Sequence, residues 1–355
     1  MTIHRYLAVA GATMVLSFAL VWAWVAAVPQ AYLDPEYPYW RAKQILMRGC
    51  DLGDTILIGD SRAAAGVIPE LLPLKLTNLA VGGGTPIEGL AVLSRVLACP
   101  EHPRQVILSF DIAHFTQPDL FWERTVRFGF LDRAELSTLA QVSSTLNDWS
   151  VHEARRNDGL SPAVRAALYL ARFPSLHFAS LAKAGGAGRW RRNHRALADG
   201  IAARGHYTFG TAPGSSLIAA EGHMTEFRPL PVLDHYFETI LSDLATQGIA
   251  AMFVVMPVNE ATGRAIRPEV RDGYARYLAA KAARYPGLRI TGSIPPIWPN
   301  RLFGDGFSHL NPTGAALFSA WLGSCLRRLA SCEEPRLQPR LQAAPPRTQN
   351  EAQNG

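Results

Sequence analysis

The chain has 355 residues, of which 48% are hydrophobic and 18% charged, and its formal net charge is +6. A chain of this length can bury a sizeable core, and its composition excludes an intrinsically disordered protein. Basic residues are dispersed apart from the cluster Arg189–Arg195, and no motif of a nucleic-acid-binding module is present, so we exclude that class. We interpret the cluster as a solvated helix face, although an anionic lipid surface or a polysaccharide would also suit it.

The uncharged stretch Leu7–Val28 is long enough to cross the hydrocarbon core of a bilayer as a helix. A cleaved signal peptide usually has a shorter apolar region and a small-residue cleavage site, which Ala26-Ala27-Val28-Pro29 matches poorly. The sequence therefore predicts an uncleaved signal-anchor over residues 1–33, with Arg5 inside the cell. No second apolar stretch is as long, so we expect residues 34–332 on one side of the inner membrane of a Gram-negative cell, in the periplasm.

The four cysteines are compatible with an oxidising compartment. Cys50 precedes the first predicted strand and Cys99 the third, so a disulfide is conceivable, and two buried free thiols fit the sequence at least as well. Cys325 and Cys332 are expected on one helix, about 10 Å apart, which is too far for a disulfide. No Cys/His pattern indicates a metal site, and we predict neither a metal nor a cofactor.

Short apolar runs alternate with helical patterns, which predicts an α/β protein with a doubly wound, mostly parallel sheet. The predicted strands are Thr55–Ile58, Leu76–Val81, Gln105–Phe110, Ile249–Met256 and Leu288–Ile290. The predicted helices of this core are Thr85–Leu97, Val232–Gln247, Arg264–Tyr285 and Pro312–Leu329.

Residues 112–231 interrupt this alternation with helical patterns such as Ala134–Val142 and Pro162–Phe173. We predict a largely helical insertion that forms a cap over the site, because long insertions in compact domains are usually functional or mobile. Residues 333–355 are rich in Pro, Gln and Arg and are predicted to be a disordered tail.

A serine lies where the first predicted strand meets a helix, in Gly59-Asp60-Ser61. Ligands of open α/β sheets bind at this carboxyl edge, and free N–H groups in a first helical turn can stabilise an oxyanion. As an isolated tripeptide, however, Gly-Asp-Ser is more often a helix cap.

Further polar residues are expected at the same edge. The second strand ends in Asn78 and leads to Gly82-Gly83-Gly84, and a loop before the last helix carries Asp305 and His309. A serine nucleophile needs a base such as a histidine, with a carboxylate to orient it. A working pair would place Ser61 Oγ about 3 Å from the His309 ring, or somewhat further without substrate.

Asp111 and His114 follow the third strand, and Asn259 follows a later one. These three residues could contact a substrate. Ordinary capped turns predict the same residue types, and we favour that interpretation.

These blocks resemble those of the SGNH (GDSL-like) hydrolase family, over roughly residues 54–110 and 250–329. Gly59-Asp60-Ser61 matches the first block, Gly83 the glycine of the second, and Asp305 and His309 the last. The resemblance implies a flavodoxin-like sheet with Ser61 as nucleophile, His309 as base and Asp305 as its acid. The N–H groups of Ser61 and Gly83 would form the oxyanion hole. Further candidates for the oxyanion and substrate site are Asp60, Asn78, Asp111, His114 and Asn259.

Two features depart from the family pattern. Asp305 stands four residues before His309 instead of three, and the Gly-x-Asn of the third block is absent, with Asp111 and His114 in that region. Both departures would also be expected of a site that has lost its catalytic activity.

The resemblance implies acyl transfer through a covalent acyl-enzyme, either to water or to a sugar hydroxyl. Single-anchor proteins of this kind resemble accessory proteins of exopolysaccharide pathways, including alginate acetylation and some cellulose operons. This implies a serine-dependent esterase or O-acyltransferase acting on a cell-envelope or extracellular polysaccharide, with a multi-spanning membrane acyltransferase or polysaccharide synthase as a partner. The alternative is a catalytically degenerate module that binds glycan or scaffolds a synthase complex. We favour a membrane-tethered lipase less, because no apolar loop cluster marks an acyl-chain groove.

Overall fold

The computed structural model describes residues 2–118, 120–153 and 159–327, so the predicted tail lies outside the described residues. The chain divides into a helical unit, residues 1–44 and 119–199, and a sheet unit, residues 45–118 and 200–355. The helical unit therefore takes in the N-terminal segment but only the middle of the predicted insertion. The two ends of that insertion, residues 112–118 and 200–231, belong to the sheet unit.

Five strands form the central sheet, and two further strands form a small separate pair. In chain order the strands are β1 Thr55–Gly59, β2 Leu76–Asn78, β3 Gln105–Ser109, β4 Ala250–Val254, β5 Val258–Asn259, β6 Leu288–Thr291 and β7 Ile297–Trp298.

The helices in chain order are α1 Ile3–Ala27, α2 Tyr37–Gly49, α3 Ser61–Gly66, α4 Pro86–Leu97, α5 Arg133–Leu146, α6 Ser150–Glu153, α7 Pro162–Leu170, α8 Pro174–Lys183, α9 Trp190–Ala202, α10 Pro231–Thr246, α11 Glu260–Ala265, α12 Pro268–Arg284 and α13 Pro312–Arg327. Phe121–Val126 forms a π-helix. Short 3₁₀ helices lie at Pro29–Ala31, Pro69–Leu71, Ala113–Phe115, Ala220–His223 and Asn300–Leu302.

The central sheet has the order β2-β1-β3-β4-β6, and every neighbouring pair is parallel. Strand β1 is buried along its whole length, as expected of a parallel strand covered on both faces. Leu57, Ile107 and Met252 face one side and share a core with α3 and α13, while α4 and α10 cover the other side. The predicted α/β class with a mostly parallel central sheet is confirmed.

Several predicted elements differ from the structure in their bounds. The strand predicted over Leu76–Val81 ends at Asn78. The helix predicted over Arg264–Tyr285 is two helices, α11 and α12, because Arg267 is extended and precedes Pro268. A proline disfavours helical backbone in the residue before it, and it is well suited to the first helical turn.

Among the described residues, α1 is the one helix that is long and apolar enough to cross a membrane. Its side chains are almost all exposed, and the one buried residue in it is Val25. The predicted apolar N-terminal helix is therefore present, with the length and exposure that a single-pass anchor requires.

Cys50 and Cys99 form a disulfide with a Cα–Cα distance of 5.7 Å, which decides between the two alternatives left open by the sequence. Cys325 also takes part in a disulfide. The prediction that Cys325 does not pair with Cys332 concerns a residue outside the described ranges.

Replacing Cys50 and Cys99 together by serine is expected to lower the free energy of unfolding by about 2–4 kcal/mol, because the bond closes a long loop in the unfolded chain. Urea denaturation of the full-length protein in detergent measures this change. When the wild type is unfolded without a reducing agent, a maleimide should modify neither Cys50 nor Cys99, and peptide mapping measures this. Alkylated Cys50 would contradict the assignment.

Candidate functional site

Asp60 joins the end of β1 to the start of α3. It is completely buried, and its Oδ1 accepts hydrogen bonds from the backbone N–H groups of Arg62 (2.8 Å) and Ala63 (3.3 Å). Aspartate is a favoured N-cap because it satisfies the free donors of a first helical turn. The cap makes Ser61 the first residue of α3, at the carboxyl edge of the sheet.

Two backbone donors near this point are left free. Among the described residues, the N–H groups of Ser61 and Gly83 find no hydrogen-bond acceptor. Gly83 has a positive φ of 70°, in a turn that is attached to β1 by a 3.0 Å hydrogen bond from Val81 N to Gly59 O. The sequence-predicted oxyanion donors are therefore both available, on neighbouring chain segments.

Asp305 and His309 form a close pair. His309 Nδ1 lies 2.6 Å from Asp305 Oδ2, and Asp305 Oδ1 accepts from the N–H groups of Phe307 (2.9 Å) and His309 (3.3 Å). Ser308 has a left-handed φ of 59°, which bends the loop between them. The spacing of four residues thus does not keep Asp305 from His309.

The pKa of Asp305 is lowered. Burial alone would raise this pKa, but the hydrogen bonds that the carboxylate accepts from the His309 ring and from the backbone N–H groups of Phe307 and His309 lower it. Asp305 is therefore held as a carboxylate that can orient the imidazole.

The His309 ring is buried and stacks on Phe209, with ring centroids 4.5 Å apart. The segments carrying these residues cross at Gly210 and Gly304, where a Cβ on either glycine would overlap the carbonyl group of the other. Glycine at both positions is what lets Phe209 cover the ring.

The expected hydrogen bond between Ser61 and His309 is not formed. His309 Nε2 is buried and has no hydrogen-bond partner among the described residues. The two segments are nevertheless adjacent, since Arg62 Nε donates to Phe307 O at 3.0 Å. The unpaired nitrogen therefore lies in a loop that is tied to the residue after Ser61.

Arg62 is the centre of a buried charge cluster that the sequence did not predict. Its guanidinium lies 2.8 Å from Glu221 and 3.4 Å from Asp111, and Glu221 is fully buried. Burial opposes the charge on Arg62, but the carboxylates of Glu221, Asp111 and Asp60 hold its pKa above the ordinary value. Burial raises the pKa of Glu221. Arg62 adjoins Ser61 in sequence, whereas no sequence pattern marks Glu221.

Asp111 and His114 lie on the other side of Asp60. The Asp111 N–H donates to Asp60 Oδ2 at 2.6 Å, and His114 Nδ1 lies 3.1 Å from Asp60 Oδ2 and 2.9 Å from Asp111 Oδ1. Burial alone would lower the pKa of His114, but the two carboxylates raise it well above the ordinary value. Asp111, where the family pattern has its third block, is thus bound into this cluster and to Arg62.

Ligand atoms of Asp60, Asp111 and His114 lie within 4.8 Å of one another, a spacing that a metal ion could also bridge. Both carboxylates contact His114 Nδ1, Asp60 also caps α3, and Asp111 also contacts Arg62. We interpret the three residues as an ion-pair cluster that fixes the ends of β1 and β3.

The side chains of Asn78 and Asn259 form hydrogen bonds with backbone groups of the fold. Both are fully buried. Asn78 Nδ2 donates to three carbonyl groups in and after α3, at 2.9–3.3 Å. Asn259 Oδ1 caps α11 by accepting from Thr262 N at 2.8 Å, and its amide donates to Ser215 O and Leu217 O. Because these bonds occupy the side chains, we do not include either residue in the substrate site.

A scan against models of protein families finds no match, and searches of curated proteins and of solved structures find none either.

Replacing Glu221 by alanine is expected to lower the free energy of unfolding by about 3–5 kcal/mol, because the variant leaves the charge of Arg62 buried without its closest partner. Glu226→Ala, which breaks an exposed ion pair with Arg228, is the control and should cost less than about 1 kcal/mol. Urea denaturation measures both. Equal losses would contradict a buried ion pair.

The raised pKa of His114 predicts a pH-dependent contribution to stability. A histidine whose pKa is raised in the folded state stabilises the protein. This contribution to the free energy of unfolding is complete below the unfolded pKa of about 6.5, and it is lost as the pH rises through the folded pKa. The difference in unfolding free energy between wild type and His114→Asn should therefore shrink from pH 6 towards alkaline pH. A difference that grows with pH would contradict the cluster.

Proposed function

We propose that the chain is a serine-dependent esterase or O-acyltransferase that acts on acyl groups of a cell-envelope or extracellular polysaccharide. The observation that carries this proposal is the Asp305–His309 pair beside the start of α3. An Nδ1–H that donates to Asp305 leaves the lone pair on Nε2. Burying a nitrogen without a hydrogen-bond partner lowers the stability of the fold. A role in accepting the proton of Ser61 would explain why this nitrogen is left unpaired.

In the proposed reaction, Ser61 Oγ attacks the carbonyl carbon of the acyl donor and its proton passes to His309 Nε2. The N–H groups of Ser61 and Gly83 hold the negative oxygen, and Asp305 stabilises the imidazolium. His309 then protonates the departing alkoxide, which leaves an acyl group on Ser61. Water or a sugar hydroxyl then attacks this ester and gives its proton to His309, which passes a proton to Ser61 Oγ as the bond between Oγ and the acyl carbon breaks.

Substrate binding has to bring Ser61 Oγ within hydrogen-bond distance of Nε2. Catalytic hydrogen bonds are often long or absent without substrate and tighten in the complex. A rotation of the Ser61 side chain or a small shift of the His309 loop is the motion that the proposal requires.

The sheet order supports the finer proposal of an SGNH-type, flavodoxin-like fold. Counted within the central sheet, the order is 2-1-3-4-5, which is the flavodoxin-like doubly wound order. In that order the chain reverses direction across the sheet between β1 and β3, and ligands bind at the carboxyl ends of these strands. Ser61 and Asp111 follow these two strands.

We place the protein in the inner membrane, with a single span and the sheet unit in the periplasm. The apolar helix α1 and the disulfide Cys50–Cys99 support this placement, because disulfides persist in oxidising compartments. The resemblance of the sequence blocks suggests a polysaccharide or its acyl donor as substrate. It also suggests a multi-spanning acyltransferase or polysaccharide synthase as partner.

A second candidate function is a non-catalytic module that binds glycan or scaffolds a synthase complex. The specific observation that favours it is the missing hydrogen bond between Ser61 and His309 Nε2. Asp111 also favours the binding module. It contacts Arg62 and His114, whereas the third block of the SGNH pattern would supply another oxyanion donor at this place.

A fluorophosphonate probe tests the catalytic proposal on the full-length protein in detergent. Wild type should be labelled, and Ser61→Ala and His309→Ala should lose the label, because the probe reacts only with an activated serine. Asp305→Asn should be labelled more slowly. Ser216→Ala, which removes an exposed serine of the same unit, is the control and should be labelled like wild type.

A folded wild type that takes no label would overturn the catalytic proposal and favour the binding module. If label is taken, incubation with an activated acetyl ester, with and without an oligosaccharide acceptor, separates the two reactions. Acetylated sugar indicates a transferase, and acetate alone indicates an esterase.

A further inference from the structure

The hairpin formed by α7 and α8, residues 162–183, exposes a face without charge. Its exposed positions from residue 163 to residue 182 are alanines together with Val164, Ser175 and Phe178. Phe178 is 71% exposed and Val164 48%. A helix face that meets water normally carries charged residues, and an exposed apolar face of this kind marks an interaction surface.

Before Lys183 the hairpin has two arginines, and Arg172, in the turn, is half-buried. Arg165 is buried, with its guanidinium 4.9 Å from the centre of the Trp122 ring and a hydrogen bond to His152 O at 3.1 Å. His177 is fully buried beside Tyr32. The interior of the hairpin is thus more polar than its surface, the reverse of a surface helix pair in water.

The turn of this hairpin is attached to α1 within the helical unit. Trp22 Nε1 donates to Ala171 O at 2.6 Å, and the Phe173 ring lies 5.3 Å from Trp22 and 5.9 Å from Phe18. Tyr32, the neighbour of His177, donates its hydroxyl to Val25 O at 2.8 Å. The turn of the hairpin therefore packs on the apolar side chains of Phe18 and Trp22.

The contact with α1 lies near the end of the lipid-facing part of that helix. Val25 is buried in protein, and Trp24 just before it is the last large apolar side chain that α1 exposes. Phe18 lies six residues earlier, which is about 9 Å along the helix. A bilayer that surrounds α1 up to Trp24 would thus reach the level of the hairpin turn.

A basic surface follows at the expected depth of the lipid headgroups. Arg191, Arg192 and Arg195 are exposed on α9. The start of α9 is fixed to the segment after α1, since Asn193 Nδ2 donates to Gln30 O at 2.9 Å and to Leu33 O at 3.1 Å. Exposed arginines just beyond the end of a membrane helix suit anionic headgroups.

We propose that the α7–α8 hairpin is a second membrane-contacting element. It lies in the boundary between headgroups and acyl chains, in the leaflet where α1 ends, with Phe178 among the acyl chains and the arginines of α9 at anionic headgroups. The proposal requires α1 to span the membrane, and it does not depend on the chemistry of Ser61.

The experiment uses full-length protein carrying Phe178→Cys, labelled with the fluorophore NBD under conditions that keep the disulfides intact. Thr138→Cys on α5, an exposed position in the same unit, is the matched control. Both proteins are placed in vesicles of phosphatidylcholine and phosphatidylglycerol, with or without lipids brominated high on the acyl chain.

The label at position 178 is expected to emit at shorter wavelength and to be quenched by brominated lipid several-fold more strongly than the label at position 138. Equal, water-like emission at both positions would overturn the proposal. A blue-shifted label that brominated lipid does not quench would also overturn it, because protein and not lipid would then cover the face. Fluorophosphonate labelling of the same samples reports on Ser61 independently.

Discussion

The buried carboxylate of Asp60 holds together the two chain segments that carry the site. One of its oxygens caps α3 and so makes Ser61 the first residue of a helix, while the other accepts the N–H of Asp111 and contacts His114. The segments follow β1 and β3, which are neighbours in the sheet. Asp60 also contributes to the raised pKa values of Arg62 and His114, together with Asp111. The position of Ser61 and the charges of its neighbours therefore both depend on Asp60.

The histidine side of the site is built independently. Its loop is held by Asp305, by the glycine crossing that brings Phe209 over the ring, and by the left-handed backbone of Ser308. A non-glycine residue in this conformation carries strain, which persists where the surrounding structure holds it and is often found at functional sites. The two halves meet through Arg62 and Phe307. What separates a catalytic site from a binding module is thus the missing hydrogen bond between Ser61 Oγ and His309 Nε2.

The parts of this arrangement that depend on local sequence could be predicted. Apolar runs and helical periods predicted the parallel sheet, and the pairing of Asp305 with His309 was expected although their spacing is unusual. Contacts between distant segments left no such signal. Nothing in the sequence around Glu221 indicates that it neutralises Arg62. The sequence positions of Asn78 and Asn259 suggest substrate contact, whereas in the structure their side chains donate to distant carbonyl groups. The uncharged face of α7 and α8 was predicted only as helix, because its exposure depends on how the helices pack.

We propose that Ser61 and His309 act together in acyl transfer, and an experimental structure of the protein after reaction with a phosphonate ester would show whether they do. We expect a phosphonyl group bonded to Ser61 Oγ. Its oxygen should accept hydrogen bonds from the N–H groups of Ser61 and Gly83, and His309 Nε2 should lie within hydrogen-bond distance of the adduct. An adduct on another residue, or one on Ser61 with His309 Nε2 still without a partner, would rule out a shared catalytic role for the two residues.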